Sequence, residues 1–173
     1  AAWLHRYFRF KRFGTQLAPT SGSMGYGLPA AVAAAIRHPE REVICLAGDG
    51  CLQMTLAELS TAAQHGAGIV VLVINNGRYG TIRMHQERTY PGRVSGTDLF
   101  LPDIPTLARA YGGTGAVVTT DAEFPDALAR ARAAARESRA PAMLELKLDG
   151  EALATGQTLA EARAAGEAAL NRR

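Results

Sequence analysis

The sequence has few cysteines, little net charge and no long apolar run, and each shortage excludes a class of protein. Two cysteines in 173 residues are too few for a disulfide framework, so we expect Cys45 and Cys51 to be reduced thiols. A net charge of +3 argues against nucleic-acid binding, and the basic residues between positions 6 and 12 indicate a solvated helix face or a domain contact. Nothing resembles a membrane span or a signal peptide, which favours the cytoplasm.

What the sequence does contain fits a folded globular chain. Hydrophobic residues make up 47% of it and charged residues 20%, which is enough apolar material for one substantial core. We therefore predict a single domain over residues 1–173, with a core at 14–149, an N-terminal helix within 1–13 and a helical tail at 150–173. The chain begins without an initiator methionine, and we expect it to be a fragment of a larger multidomain protein.

Predicted strands and helices alternate along the chain. Residues 42–47 and 69–74 are continuous apolar runs, which is typical of strands covered on both faces in a parallel sheet. A helix at 56–65 between them completes a βαβ unit, and residues 88–98 form a looser stretch. We expect an α/β domain of three layers (α/β/α) with a central, mainly parallel sheet of five or six strands. Further helices are predicted at 3–10, 28–36, 104–111, 123–137 and 159–170, and further strands at 116–119 and 142–148.

Oxygen-bearing side chains follow the first two predicted strands. Gly48-Asp49-Gly50 comes after one strand and Asn75-Asn76-Gly77 after the next. Because parallel strands end at the same edge of a sheet, Asp49 and Asn76 are expected to reach one point. One carboxylate and one amide oxygen suit Mg²⁺, which completes its shell with waters and phosphates. The spacing predicts a diphosphate bridged by Mg²⁺.

Each fragment alone has a simpler interpretation. Gly-Asp-Gly and Asn-Asn-Gly are both typical of turns. An unrelated Mg²⁺-phosphate domain is therefore one alternative, and a binding or assembly module without catalysis is another. No cysteine-histidine pairing at metal-ligand spacing is present, which argues against zinc.

The two motifs together resemble the signature of a known family. Gly48-Asp49-Gly50, a helix and strand, and then Asn75-Asn76 are similar to the motif of the thiamine-diphosphate-dependent 2-oxo acid enzymes, such as acetolactate synthase and benzoylformate decarboxylase. Residues 22–31 and 75–80 resemble the family too, and the resemblance runs from about Thr15 to Leu148. It implies the thiamine-diphosphate-binding fold, with thiamine diphosphate and Mg²⁺ as cofactors.

The resemblance also implies roles for individual residues. The Asp49 and Asn76 side chains and the Arg78 carbonyl would ligate Mg²⁺. The Met24 side chain would hold the cofactor in its bent shape, and Cys51 stands where many members have serine. The complete set of expected cofactor-binding residues is Gly22, Ser23, Met24, Gly48, Asp49, Gly50, Cys51, Asn76, Arg78, Gly80 and Thr81.

The implied activity is decarboxylation of a 2-oxo acid and transfer of the resulting enamine to a carbonyl acceptor, as in acetolactate synthases. A decarboxylase without ligation, like benzoylformate decarboxylase, is the alternative, partly because residues 75–83 resemble that subgroup as well. His85 stands where acetolactate synthases carry tryptophan, which weakens the assignment to them. Family members take their activating glutamate from a pyrimidine-binding domain of the same or a partner subunit. We therefore expect no catalytic residue in this chain, little activity of the isolated chain, and a homodimeric or homotetrameric parent enzyme.

Overall fold

The computed structural model describes residues 2–154 and 156–172. The chain divides into two compact units. The sheet unit comprises Phe10–Asn75 and Leu101–Lys147, and the small unit comprises Ala1–Arg9, Asn76–Phe100 and Leu148–Arg173. The expected single domain with its core at 14–149 stays a prediction.

Helices and strands alternate along most of the chain. A single 3-10 turn, Asp121–Glu123, precedes the longest helix. In chain order the elements are α1 Ala2–Tyr7, α2 Gly27–Arg37, β1 Val43–Gly48, α3 Asp49–Gln53, α4 Glu58–Gln64, β2 Ile69–Asn75, α5 Gly80–Thr89, α6 Ile104–Ala110, β3 Thr114–Val118, α7 Phe124–Ser138, β4 Ala142–Lys147, β5 Ala152–Ala154, β6 Gln157–Thr158 and α8 Leu159–Leu170.

A parallel sheet in the order β1-β2-β4-β3 forms the centre of the sheet unit. The predicted α/β class with a central parallel sheet is confirmed. The predicted five or six strands are wrong, because the central sheet has four strands in the described part of the chain. The two remaining strands, β5 and β6, are too short to extend it and pair with each other as an antiparallel hairpin.

Helices cover both faces of this sheet. Alternate residues of β2, such as Val71 and Val73, pack with α2, α4 and α6 in one apolar cluster. The residues between them, Val70 and Leu72, pack on the other face against Ala127, Ala131 and Ala135 of α7. Since β2 is buried on both faces, its continuous apolar sequence follows directly from its central place.

Polar groups stabilise the interior of the small unit, where α5 packs on α8. Glu87 of α5 is 0% exposed and accepts hydrogen bonds from Arg163 of α8 at 3.0 and 2.6 Å. A Cβ added to Gly166 would lie 2.4 Å from the Glu87 carbonyl oxygen, so the two helices touch through a glycine.

Arg83 donates to Thr97 Oγ1 at 2.6 Å. Helix α8 begins at a capping box formed by Thr158 and Glu161.

Two helices were not predicted from the sequence. Helix α5 occupies residues with no clear apolar stripe, because its buried positions are Arg83 and Glu87. Helix α3 starts inside Gly48-Asp49-Gly50, where the glycines predict only a turn. Across residues 2–154 and 156–172, no helix has the length and apolarity needed to cross a membrane.

Candidate functional site

The ends of β1 and β2 lie side by side in the sheet unit. Their parallel register pairs Gly48 with Ile74, so both strands finish at the same level of the sheet. Asp49 is the first residue of α3 and is only 4% exposed. Its Oδ1 accepts a hydrogen bond from the Gly50 N–H at 2.8 Å. A buried carboxylate therefore stands directly beyond the end of β1, as the sequence predicted.

The last residue of β2 belongs to a polar group that the sequence analysis missed. Asn75 is 9% exposed and donates from Nδ2 to Glu145 Oε1 at 2.5 Å. Glu145 is 4% exposed and lies on β4, where the register places it beside Val73. Lys147 Nζ also contacts Glu145 Oε1, at 2.5 Å. The sequence did contain a signal for this group, because the alternation of β4 places Glu145 on the same face as Met143.

Asn76 opens a turn that belongs to the small unit. Its Oδ1 accepts from the Arg78 N–H at 3.3 Å, a local bond typical of asparagine in turns. Two backbone bonds hold the turn from outside: the Tyr79 N–H donates to the Thr97 carbonyl, and the Leu99 N–H donates to the Gly77 carbonyl. The turn is therefore fixed at both ends while Asn76 stays partly exposed.

Gly80 leaves room for the close approach of Asn76. A Cβ at position 80 would stand 3.0 Å from Asn76 Nδ2 and 3.9 Å from Leu153 Cδ2. A larger residue would make the Asn76 amide shift by a few tenths of an ångström. The predicted role of Gly80 beside the cofactor is untested, but the structure gives this glycine a role in placing Asn76.

The Arg78 side chain turns toward the segment before β5. Its Nη1 lies 3.6 Å from Glu151 Oε1, and Gly150 leaves room for the guanidinium, since a Cβ there would come within 2.8 Å of Nη2. Arg78 Nε is buried and has no hydrogen-bond partner in the described residues. The ligand predicted at this position is the backbone carbonyl of Arg78, and it stays a prediction.

The glycine-rich loop before α2 is open to solvent. Gly22, Ser23 and Met24 are all exposed, with 43% of Met24 accessible. Ser21 Oγ and Ser23 Oγ are hydrogen-bonded at 2.8 Å. The loop is anchored one residue later, where Thr55 Oγ1 donates to the Gly25 carbonyl at 3.1 Å. Backbone groups in this loop are therefore free of the core.

The two cysteines have different environments. Cys45 is buried in β1, and burial, with a smaller contribution from Cys51, raises its pKa to about 12. Cys51 lies in α3 and is partly exposed. Both are free thiols, as predicted. The Cys45 thiol stays protonated at neutral pH and reacts slowly, which leaves Cys51 as the accessible thiol near Asp49.

The residues present fit a magnesium diphosphate. Asp49 and Asn76 offer hard oxygen atoms, and a Cβ added at Gly48 would meet no atom within 4 Å, so the backbone beside Asp49 is open. The described residues contain no group of three or more histidine, cysteine, aspartate or glutamate side chains that could hold a metal ion. The donor set therefore suits an ion that takes few protein ligands.

The predicted site residues divide between the two units. The sheet unit places residues 48–51 together at the end of β1 and carries the loop at 22–24. The small unit carries Asn76, Arg78, Gly80 and Thr81, the last of which is exposed at the start of α5. Among the other titratable residues, His65 is the C-cap of α4, and His85 is exposed on α5.

Comparison with protein families and known sequences gives a consistent result. Residues 1–146 match the model of the family described as thiamine pyrophosphate enzyme, C-terminal TPP binding domain. The chain is 41% identical over 112 residues to the acetolactate synthase large subunit of Haemophilus influenzae, covering 64% of this chain and 20% of that protein. It is 40% identical over 127 residues to the acetolactate synthase large subunit of Parasynechococcus marenigrum, covering 72% and 20%. The chain thus spans about a fifth of the length of these relatives.

Solved structures are similar as well. A thiamine diphosphate-dependent 4-hydroxybenzoylformate decarboxylase from Rhodococcus jostii matches with a TM-score of 0.68 and 37% identity, over 76% of this chain and 24% of that one. A benzoylformate decarboxylase from Polynucleobacter necessarius matches with a TM-score of 0.65 and 28% identity, over 78% and 25%. Both have the fold found here.

Proposed function

The chain belongs to the thiamine pyrophosphate enzyme family, as its C-terminal TPP binding domain, and from this we propose that it binds thiamine diphosphate together with Mg²⁺. Asp49 and Asn76 would supply side-chain oxygens to the ion, and Arg78 its backbone carbonyl. The buried carboxylate of Asp49 at the end of β1 is the observation that carries the proposal. A carboxylate oxygen at this position is a hard ligand of the kind that Mg²⁺ prefers.

The remaining residues would bind the organic part of the cofactor. We propose that Gly48, Gly50 and Cys51 lie along the diphosphate, since the open backbone at Gly48 leaves room for it. The exposed loop of Gly22, Ser23 and Met24 would receive the aminopyrimidine, and Gly80 and Thr81 would lie beside the diphosphate or thiazolium. Bound thiamine diphosphate stabilises a carbanion during cleavage of a bond next to a carbonyl. The chain's own part is to bind and orient it.

For the parent protein we propose a carboligase of the acetolactate-synthase type that acts on a 2-oxo acid. The sequence relatives favour it, because acetolactate synthases match at 40 and 41% identity. We further propose that a pyrimidine-binding domain of the same or a partner subunit completes the site, in a homo-oligomer located in the cytoplasm. By itself the chain would bind the cofactor weakly.

A decarboxylase without ligation is the second candidate. It is favoured by the two solved structures, whose names describe decarboxylation of benzoylformate and 4-hydroxybenzoylformate. The exposed His85 on α5 agrees with it, since it replaces the tryptophan expected of acetolactate synthases. Product analysis of the parent protein with pyruvate and with benzoylformate distinguishes the two: a new carbon–carbon bond favours the ligase, and an aldehyde with CO₂ favours the decarboxylase. If the parent protein released CO₂ from no 2-oxo acid, a binding module without catalysis would be the remaining interpretation.

Cofactor binding is testable on the chain itself, with Cys51 as the reporter. We expect thiamine diphosphate at millimolar concentration with Mg²⁺ to slow alkylation of Cys51, read by mass spectrometry. Cys45 serves as an internal control, because it is buried and its pKa is raised to about 12.

The substitution Asp49→Ala is expected to abolish the protection, with a loss of metal affinity of about 10-fold or more. Asp121→Ala, at an exposed carboxylate, is the matched control and should leave protection unchanged. A parallel calorimetric titration compares thiamine diphosphate with ATP. Binding of ATP as tight as, or tighter than, that of thiamine diphosphate would contradict the proposed function.

A further inference from the structure

We infer that Glu145 is a positioning residue for the metal site, which it serves by fixing the Asn75 side chain at the end of β2. The inference rests on the proposed function, because it concerns the residue that precedes the proposed ligand Asn76. It starts from a glutamate that is only 4% exposed in a parallel sheet, beside Val73 of β2.

The surroundings of Glu145 make it a costly residue for packing alone. Its neighbours on the same face of the sheet include Val73 and Met143, which are 0% exposed, and Val117 of β3, which is 40% exposed. A carboxylate in such a place loses hydration that a leucine would not need. Replacing buried ion pairs by apolar residues of similar volume is often neutral or stabilising. Stability alone therefore does not account for a glutamate here.

The contacts of Glu145 indicate what it does. Asn75 Nδ2 and Lys147 Nζ both reach its Oε1 at 2.5 Å. Lys147 is 49% exposed in its side chain, so water stabilises its charge whether or not Glu145 is present. The Asn75 side chain is buried, so the bond from its Nδ2 to Glu145 is shielded from water. The bond to Asn75 is thus the specific one.

Asn75 occupies the position where fixing the chain matters most. It is the last residue of β2, its register partner on β4 is Lys147, and Asn76 follows it directly. An amide held by Glu145 sets the direction in which the backbone leaves the sheet. Groups that orient the residues around a metal ligand commonly affect metal affinity without touching the ion. Glu145 would act in this way, through Asn75.

The test compares three variants in the Cys51 protection assay, titrated with Mg²⁺ at constant thiamine diphosphate. Glu145→Leu removes the acceptor at similar size and is expected to raise the half-maximal Mg²⁺ concentration by about 10-fold or more. Glu145→Gln keeps an Oε1 acceptor for Asn75 and should stay within about threefold of the wild type. Lys147→Met removes only the exposed cation and should also stay within about threefold.

Two further measurements separate positioning from packing. The thermal midpoint of Glu145→Leu is expected to lie below that of Glu145→Gln, because leucine removes the acceptor of the buried Asn75 Nδ2; the Mg²⁺ titrations are therefore made well below both midpoints. The Asn75 side-chain amide should exchange slowly with solvent in the wild type and in Glu145→Gln, and rapidly in Glu145→Leu, as seen by NMR.

The outcomes are distinct. If the wild-type chain shows no Mg²⁺-dependent protection, the proposed function fails and this inference fails with it. If the wild type is protected and Glu145→Leu needs the same Mg²⁺ concentration, the inference alone is overturned. It is also overturned if Glu145→Gln is as impaired as Glu145→Leu, because charge and not the Asn75 bond would then be responsible.

Discussion

The two units of the chain are stabilised by different forces. The sheet unit buries apolar side chains on both faces of four parallel strands, and its central strand β2 is almost wholly inaccessible. The small unit buries Arg83, Glu87 and Thr97. Arg83 donates to Thr97, and Glu87 forms an ion pair with Arg163. Apolar packing tolerates changes of pH and salt, whereas charged contacts do not. The proposed ligands Asp49 and Asn76 thus come from units with different sensitivities.

The largest effect is expected in the apolar core of the sheet unit. Leu59 of α4 is 0% exposed and belongs to the cluster beneath the sheet. Leu59→Ala should lower the free energy of unfolding by about 2–5 kcal/mol, through lost apolar burial and a residual cavity. Urea denaturation measures it. Leu17→Ala, at a side chain 62% exposed, is the control and should change stability by less than about 0.5 kcal/mol. Equal effects at the two positions would show that this core is not what stabilises the unit.

A smaller effect is expected where α5 and α8 touch. Gly166→Ala would bring a methyl group within 2.4 Å of the Glu87 carbonyl oxygen and 2.7 Å of that of Arg88. The helices must move apart, at a cost of about 1–3 kcal/mol. Hydrogen exchange should show faster exchange in α5 and α8 and unchanged exchange in β2. Ala165→Leu adds more bulk at the exposed neighbouring position and should leave hydrogen exchange in α5 and α8 unchanged. Faster exchange in β2 would mean that the two units unfold together.

Acidification tests most directly whether different forces stabilise the two units. Hydrogen bonds from Arg163, followed by one from the Gly92 N–H, lower the pKa of Glu87 from 4.5 to about 2 against the effect of its burial. A lowered pKa means that the stabilisation from Glu87 is complete above about pH 4.5 and is lost as the pH falls through about 2. NMR signals of α8 should therefore disappear on acidification before those of β2.

Glu87→Gln should remove most of this acid dependence. At pH 7 it should cost the small unit about 1–2 kcal/mol, less than a wholly buried pair would, because Arg163 is 45% exposed. If the β2 signals of the wild type disappeared first, the sheet unit would be the more acid-sensitive of the two, contrary to this expectation.

The sheet unit was largely predictable from the sequence, whereas in the small unit α8 was predicted with its observed bounds and α5 was missed. Continuous apolar runs predicted β1 and β2 within one residue at each end, and the helix predicted at 123–137 matches α7 equally closely. Hydrophobic periodicity predicts which residues are buried only where the buried residues are apolar. In α5 the buried residues are Arg83 and Glu87, and the pattern therefore contained no signal.

The same reasoning explains the outcome for the candidate site. The apolar run before Gly48-Asp49-Gly50 predicted Asp49 just past the end of β1, where the structure has it, but its burial was not predicted. Glu145 was missed because a charged residue in an alternating strand usually faces water. Its bond to Asn75 joins positions 70 residues apart, which local sequence patterns do not report.

The order of the segments has a consequence for synthesis on the ribosome. The sheet unit has all four strands once β4 has been translated, whereas the small unit needs Arg163 and Gly166 from α8, which is made later. The ion pair between Glu87 and Arg163 joins residues 76 positions apart, so it closes a long loop. A nascent chain would therefore have its sheet before its second compact unit, and a premature stop after β4 would remove α8 while leaving every strand of the sheet in the product.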